Sequence, residues 1–443
     1  MLLSLNVFSQ SAMEQHYFEW AQLPFPKEEF ELRRQKVMQR LSLEKLDILL
    51  IPSKDGFSDG ETFRQMDDFQ YFTGLELPNS ILAINIPDNE VVLFAPDRDP
   101  RFENASRSND FPGRPLADDP QLAELSGISN IQSIDRLDNY ISTHWQEGKT
   151  FCINGGQIGK LQPINHNYFF SWDATSSMRF HLERTFPSIL LHNAYLPLAS
   201  VRMVKSPREL DAMMKAADIT IQGIKTTAKY IRAGVDERSL EGVLEGEFKK
   251  QGSPRLPFAS IIKSGPNSLW PWRILASHYN RRNRVMQNGE LVIFDVGCEY
   301  NYYVSDIGRT FPVSGKFTDE QKRILKMELA IADSIIQAIR PGITFADLKK
   351  VADRVIPANE KKYMQVGLHF GHHLGLSSGD PSDPGASLEP GMVFTVEPWY
   401  YNHDKEIAVF TEDEILVTVT GFELLTKSLP RTPEALEEMM ISN

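Results

Sequence analysis

Twice in the C-terminal half of this 443-residue chain a carboxylate interrupts an apolar β run, and each time a second carboxylate answers it across a turn. The stretch "IFDVGCEYNYYVSDIGRTF" places Asp295 after the apolar run Leu291–Phe294 and Asp306 after a second strand-like run. A hairpin turn centred on Tyr300-Asn301 sets Asp295 opposite Asp306, with Cβ atoms about 4.5 to 5.5 Å apart. Glu397 in "GMVFTVEPWYY" and Glu412 in "AVFTEDEILVTV" repeat the construction about a turn centred on Asp404-Lys405. Ionised carboxylates that close repel one another unless a proton or a cation lies between them. A lone acid at a strand end is ordinarily a solvated edge residue. Four acids paired on apolar strands are costly to bury without metal ions, so these hairpins restrict the fold to one that gathers them around cations.

A histidine completes such a set. "LHFGHHLGLSSGDP" offers His369, His372 and His373 beside glycines and apolar residues. Four carboxylates and one imidazole can hold two divalent ions with a shared water or hydroxide, an arrangement suited to hydrolysis. Oxygen-rich ligation favours Mn²⁺ or another borderline-hard ion over a thiolate-type zinc site.

The remaining features bound the protein class. The length calls for two domains. The N-terminal part alternates a helical pattern, "KEEFELRRQKVMQRLSLEKL" with Phe30, Leu32, Val37, Met38 and Leu41 on its apolar face, with the strands "DILLIPS", "SILAINI" and "EVVLFAP". This predicts an α/β domain with a largely covered sheet over 16–195. The aromatic cluster "DDFQYFTGL" is expected in its core, with the lining of a cleft between domains as the alternative. Ser206 followed by Pro207 and Glu209 marks a helix start. Hairpin-connected strands make residues 196–443 an α+β domain. The net charge of -12 argues against nucleic acid or an anionic membrane as partner, and no apolar run is long enough for a membrane span. Two cysteines, Cys152 and Cys298, cannot form a disulfide framework. Residues 1–15 read as a tail or as a signal remnant. The location is then cytoplasmic, or exported if residues 1–12 end a signal peptide.

Taken in order, these residues resemble the pita-bread metallopeptidases, most closely the aminopeptidase P and prolidase branch. "DDFQYFTGL" and "VVLFAPDRD" resemble that branch's N-terminal domain. "VRMVKSPRELDAMMKAADIT" resembles the helix that opens its catalytic domain. "DVGCEYNYYVSDIGRTFPVSGKFTDEQ", "GHHLGL", "LEPGMVFTVEP" and "TEDEILVTVTGFELLT" resemble its metal motifs. The resemblance implies an N-terminal α/β domain followed by a pita-bread catalytic domain. It implies two divalent ions, Mn²⁺ first and Co²⁺, Zn²⁺ or Fe²⁺ as alternatives, held by Asp295, Asp306, His372, Glu397 and Glu412. Glu397 would also handle the proton of the nucleophile, and His278 would contact substrate near the scissile bond. The implied reaction is hydrolysis of X-Pro peptide bonds, as an aminopeptidase or a dipeptidase, by a homodimer or higher oligomer. Phe258, Trp270, Trp272, Trp399 and Tyr400 are the aromatic candidates for a proline pocket.

Three positions depart from the family pattern. The second active-site histidine, seven residues after the metal histidine, is Gly379 here. The histidine four residues before that ligand is Leu368, leaving His369 or His373 to substitute for it. The arginine two residues before the last glutamate is Phe410, which joins the pocket candidates. These losses keep two alternatives open: a phosphoester or phosphotriester hydrolase of the same architecture, and a non-catalytic peptide-binding relative. Retention of all five ligand types argues against the latter.

Overall fold

The computed structural model describes residues 22–56, 62–97, 117, 119–155, 173–270, 283–364 and 371–441. The tail at 1–15 lies outside them. The chain divides into two compact units between Val201 and Arg202.

In the first unit, helix α1 (Lys27–Leu43) precedes strand β1 (Ile48–Pro52) and the short helix α2 (Asp67–Thr73). Strands β2 (Ile81–Asn85) and β3 (Glu90–Ala95), helix α3 (Pro120–Ser126), strand β4 (Asn130–Ser133) and helix α4 (Leu137–Gln146) follow. The unit ends with strand β5 (Phe151–Ile153), helix α5 (Ala174–Thr185), strand β6 (Leu191–Asn193) and helix α6 (Tyr195–Met203), which crosses into the second unit. The strands form one mixed sheet in the order β4-β3-β2-β1-β5-β6. The central strand, Ile-Leu-Leu-Ile-Pro, is buried along its whole length, as a sheet covered on both faces requires. The buried stripe of α1 differs from the expected one. It runs Phe30, Arg33, Arg34, Val37 and Leu41, while Leu32 is exposed. The two arginines are inside because Arg33 donates to the Tyr71 carbonyl and Arg34 to the Phe72 carbonyl. Their guanidinium groups thus satisfy the open C-terminal carbonyls of α2. Phe69, Tyr71 and Phe72 of that helix are buried in the core.

The second unit opens with helix α7 (Pro207–Ala228), started by a capping box in which Ser206 and Glu209 exchange hydrogen bonds. Helix α8 (Glu237–Lys250) and strands β7 (Ile261–Ser264) and β8 (Leu291–Val296) follow. A small ladder of β9 (Glu299–Tyr300) and β10 (Tyr303–Val304) leads into β11 (Ile307–Pro312). Helices α9 (Asp319–Ala338) and α10 (Phe345–Val355) precede strands β12 (Val393–Val396), β13 (Trp399–Asn402), β14 (Ile407–Phe410), β15 (Asp413–Val417) and β16 (Phe422–Leu424). Helix α11 (Pro433–Ile441) closes the unit.

Both hairpins form, and one register differs from expectation. β8 pairs with β11 so that Asp295 faces Gly308, not Asp306. The turn is centred on Asn301 and Tyr302, which both take positive φ (49° and 70°), the conformation of the tight turn that suits strand twist. Moving the turn by one residue moves the pairing by two. Because side chains alternate with period two, Asp306 stays on the face of Asp295, now on a diagonal. The second hairpin keeps the expected register: Trp399 faces Phe410 and Val396 faces Asp413, which sets Glu397 opposite Glu412 in the gap between the two ladders. An isolated bridge, Gly308 to Glu412, joins the hairpins. One sheet face buries Val292, Phe294, Val296, Phe394 and Tyr400 against the helices. The other carries a smaller apolar cluster of Ile261, Leu269, Ile293, Trp399, Ala408 and Phe410, and the acids extend from it.

Candidate metal centre

The bridge between Gly308 and Glu412 brings the acids into one row: Asp295 opposite Gly308, Gly308 opposite Glu412, Glu412 opposite Glu397. Arg309 stitches it. This fully buried guanidinium donates to the Gly308 and Glu412 carbonyls, to the Pro430 carbonyl and to the Asp413 carboxylate at 2.7 to 2.9 Å. Asp306 enters on the diagonal. Its backbone N–H donates to Glu414 Oε1 at 2.7 Å.

His372 arrives on a separate segment. Its backbone N–H donates to Thr395 Oγ1, and the Thr395 N–H donates back to the His372 carbonyl. The approach requires glycine at 371, where φ is +134° and a Cβ would overlap the Thr395 carbonyl. The far end of the segment is anchored by Asp380, which is buried and paired with Arg202 and Lys205. Burial pushes the Asp380 carboxyl up, and the two cations outweigh it and hold it below the usual range. The His372 imidazole then presents Nε2 at 3.5 Å from both Asp306 Oδ2 and Glu397 Oε1.

Asp306, His372 and Glu412 offer ligand atoms that all lie within 4.8 Å of one another. Asp295, Asp306, Glu397 and Glu412 are all less than a tenth exposed. Burial, then mutual repulsion, drives Asp295, Asp306 and Glu412 well above the carboxylate range. Burial also raises Glu397, against the opposing influence of His372, and pushes Glu414 to about 8. Asp306 Oδ1 and both oxygens of Glu412 are buried without a hydrogen-bond partner among the described residues. A buried acceptor in that state is expensive unless something positive meets it. The donor set, carboxylate oxygens with one imidazole nitrogen, is that of hard and borderline divalent cations. The residues therefore fit a metal centre.

The other sequence-derived candidates fall out differently. His278, His369 and Trp272 lie outside the described residues, as does Leu368. Trp399, Tyr400 and Phe410, expected to line a pocket, are at most 1% exposed and belong to the core. Tyr400 faces away from the acids, with its hydroxyl donating to Glu360. Phe410 stacks on Trp399 and covers Gly308, where a Cβ would overlap its ring. Phe258 is half-buried, and its ring would meet a Cβ at Gly297 at 3.3 Å. Trp270 is half-exposed against His403. His373 is buried between Phe345 and Phe394, and burial lowers its imidazole to about 3, so it stays neutral. At Gly379 the space a side chain would fill is open, and its N–H donates to His372 Nδ1 at 3.1 Å. Sequence reasoning missed Thr395, Arg309, Glu414 and Tyr401. The Tyr401 phenol is held high by burial and by the nearby Asp295, Glu328 and Glu397. The signal available for Arg309 and Glu414 was a charge inside a strand otherwise apolar.

Two family models match the chain: aminopeptidase P, N-terminal domain, over residues 30–152, and metallopeptidase family M24 over residues 211–419. The Xaa-Pro aminopeptidase of Escherichia coli K12 is 30% identical, covering 94% of this chain and 98% of its own. The aminopeptidase PepP of Pseudomonas aeruginosa matches at 25% identity with a TM-score of 0.77, over 95% of this chain and 99% of its own. Aminopeptidase P of E. coli, solved with the inhibitor Pro-Leu, matches at 26% identity with a TM-score of 0.73, over 94% and 98%. The chain belongs to metallopeptidase family M24. Its first unit is the aminopeptidase P N-terminal domain and its second the pita-bread domain, and it shares the family's dependence on divalent metal ions.

Proposed function

We propose that this chain is an Xaa-Pro aminopeptidase that works with two divalent cations, manganese by the chemistry of its donors. Asp295, Asp306, His372, Glu397 and Glu412 hold them. The observation that carries this reading is the approach of Asp306, His372 and Glu412, whose ligand atoms lie within 4.8 Å of one another, with Glu397 3.5 Å from His372 and with Asp306 and Glu412 oxygens that find no donor among the described residues. The relatives named Xaa-Pro aminopeptidase support release of an N-terminal residue over cleavage of dipeptides alone. When bound, the cations supply Lewis-acid polarisation of the scissile carbonyl and a water acidic enough to attack at neutral pH.

The protein's own part is positioning and proton handling. Glu397 takes the proton released by the attacking water and passes it toward the proline nitrogen as that nitrogen leaves. Its carboxylate is held for this by the Thr395 hydroxyl at 3.1 Å and the Trp399 Nε1–H at 3.2 Å. Asp295 sits on β8 and the other four lie at strand ends or bridges beside the same ladders, which limits misplacement of the reacting groups. Gly379 contributes no side chain. An imidazole there would assist the tetrahedral intermediate, and removing one such donor costs about 10²- to 10³-fold in rate. Turnover should accordingly be slow relative to an enzyme that has the imidazole.

The test is a panel of X-Pro dipeptides, X-Pro tripeptides and a phosphotriester, assayed with manganese. The expected result is hydrolysis of the tripeptides, with Glu397→Gln losing at least about 10³-fold in kcat. Hydrolysis of dipeptides alone would make the protein a dipeptidase. Preference for the phosphotriester, or full activity in Glu397→Gln, would overturn the proposal.

A further inference from the structure

The two oxygens of Glu397 are treated differently from those of Glu412. Among the described residues neither Glu412 oxygen has a hydrogen-bond partner. Glu397 Oε1 accepts from the Thr395 hydroxyl and Oε2 from the indole N–H of Trp399. An indole nitrogen is a donor only, and a buried one must find an acceptor. Trp399 is 1% exposed, and its Nε1–H reaches this carboxylate.

The indole itself is held. It stacks on Phe410, its cross-strand partner, with ring centroids 3.5 Å apart and planes 20° from parallel, and on Tyr401 at 5.5 Å and 13°. Phe410 is fully buried and lies over Gly308, the glycine that bridges Asp295's strand to Glu412. The rings and the acid row therefore share one sheet face. A stacked, buried indole has little freedom in either of its side-chain torsions, so its N–H points in a fixed direction.

We propose that Trp399 is a positioning residue that sets the plane of the Glu397 carboxylate, and that Phe410 acts through Trp399 by holding the indole. Each carboxylate oxygen has two lone-pair directions. One on each oxygen is taken by Thr395 or Trp399, and Oε1 also lies 3.5 Å from His372 Nε2. In the family pattern an arginine at position 410 braces the site; here an aromatic pair supplies the bracing through a neutral donor. This inference rests on the reading of Glu397 as a metal ligand and proton carrier.

Trp399→Phe removes the N–H and keeps a ring for the stack. Isothermal titration with Mn²⁺ should show affinity weakened about 10- to 100-fold, the usual consequence of losing a group that orients a ligand. At saturating manganese, kcat on an X-Pro tripeptide should fall about tenfold with KM unchanged, the pattern of a lost transition-state interaction. The thermal midpoint of the metal-free protein should stay near that of the unmodified chain. Phe410→Leu keeps the N–H but loosens the stack. It should lower manganese affinity and kcat in the same direction by a smaller factor, and Phe410→Tyr should restore both. Unchanged affinity and kcat in Trp399→Phe would overturn the inference alone. If that variant fails to fold, unchanged affinity and kcat in Phe410→Leu would do so. Failure of the unmodified protein to bind manganese would remove the proposed function, and this inference with it.

Discussion

Among single residues, Arg309 links most of the features around the site. It sits in the middle of β11 with no solvent exposure, and its donors reach three carbonyls and Asp413. Burial lowers its guanidinium, and Asp413 partly restores it. Arg309→Met would leave the Gly308 and Glu412 carbonyls with only their backbone donors across the bridge and weaken the compensation of the Asp413 charge, which Arg431 alone would then meet at 2.7 Å. Removing one partner of a buried pair typically costs about 3 to 5 kcal/mol, and denaturant unfolding should show a loss in that range. The four candidate acids could be named from sequence because carboxylates inside apolar runs are chemically conspicuous, whereas the choice of His372 over His369 and His373 comes only from the resemblance. The roles of Arg309 and Trp399 could not be named. The charge in "DIGRTF" and the pocket candidate in "EPWYY" disclose no partner until the register decides where their N–H groups point.

At the level of elements, the two hairpins differed in how much the sequence disclosed. The second turn follows from its loop length, with Asn402 accepting from the Lys405 N–H at 3.0 Å. The first is centred on Asn301-Tyr302, one residue beyond the expected Tyr300-Asn301, a centre that follows from setting the two acids directly opposite and that no turn residue dictates, since a tyrosine is unusual in either pair. The acids stayed on one face only because the displacement was even. What no pattern in a single strand could disclose is the bridge between hairpins, since it depends on Gly308 letting Phe410 approach. Gly308→Ala would force that ring aside, and overpacking of this kind costs about 1 to 3 kcal/mol. Phe410→Leu in the same chain should recover much of the loss. A double-mutant cycle that shows simple additivity would mean the two residues do not share this contact.

On the scale of the whole molecule, the metal-free protein carries an acid load. Asp295, Asp306, Glu397, Glu412 and Glu414 all have raised affinities for protons in the folded state, and Glu328, fully buried on α9, has too. His372 faces Asp306, Glu397 and Glu412, and Asp380, at the far end of its segment, is paired with Lys205. A group whose folded pKa is raised above its unfolded value stabilises the fold below the unfolded value and ceases to as pH rises through the folded one. For Glu414 that window runs from the ordinary carboxylate range to about 8. Each such group changes stability by about 1.4 kcal/mol per pH unit inside its window. Asp380 and Asp413 have depressed values and act in the opposite sense, losing their contribution as pH falls. The thermal midpoint of metal-free protein should therefore peak near mildly acidic pH and decline toward pH 8. Manganese should flatten that decline, because cations replace the protons. Scanning calorimetry with and without chelator across this range is the measurement, and a metal-free midpoint that climbs toward pH 8 would contradict it.

The packing of Phe410 has a consequence for any attempt to redesign this face. Its ring, the indole of Trp399 and the bare Cα of Gly308 occupy mutually dependent volumes. An arginine placed at position 410 alone would uncover Gly308 and bring a charge into a dry aromatic stack. Exchanges at these three positions are therefore expected to succeed together or not at all.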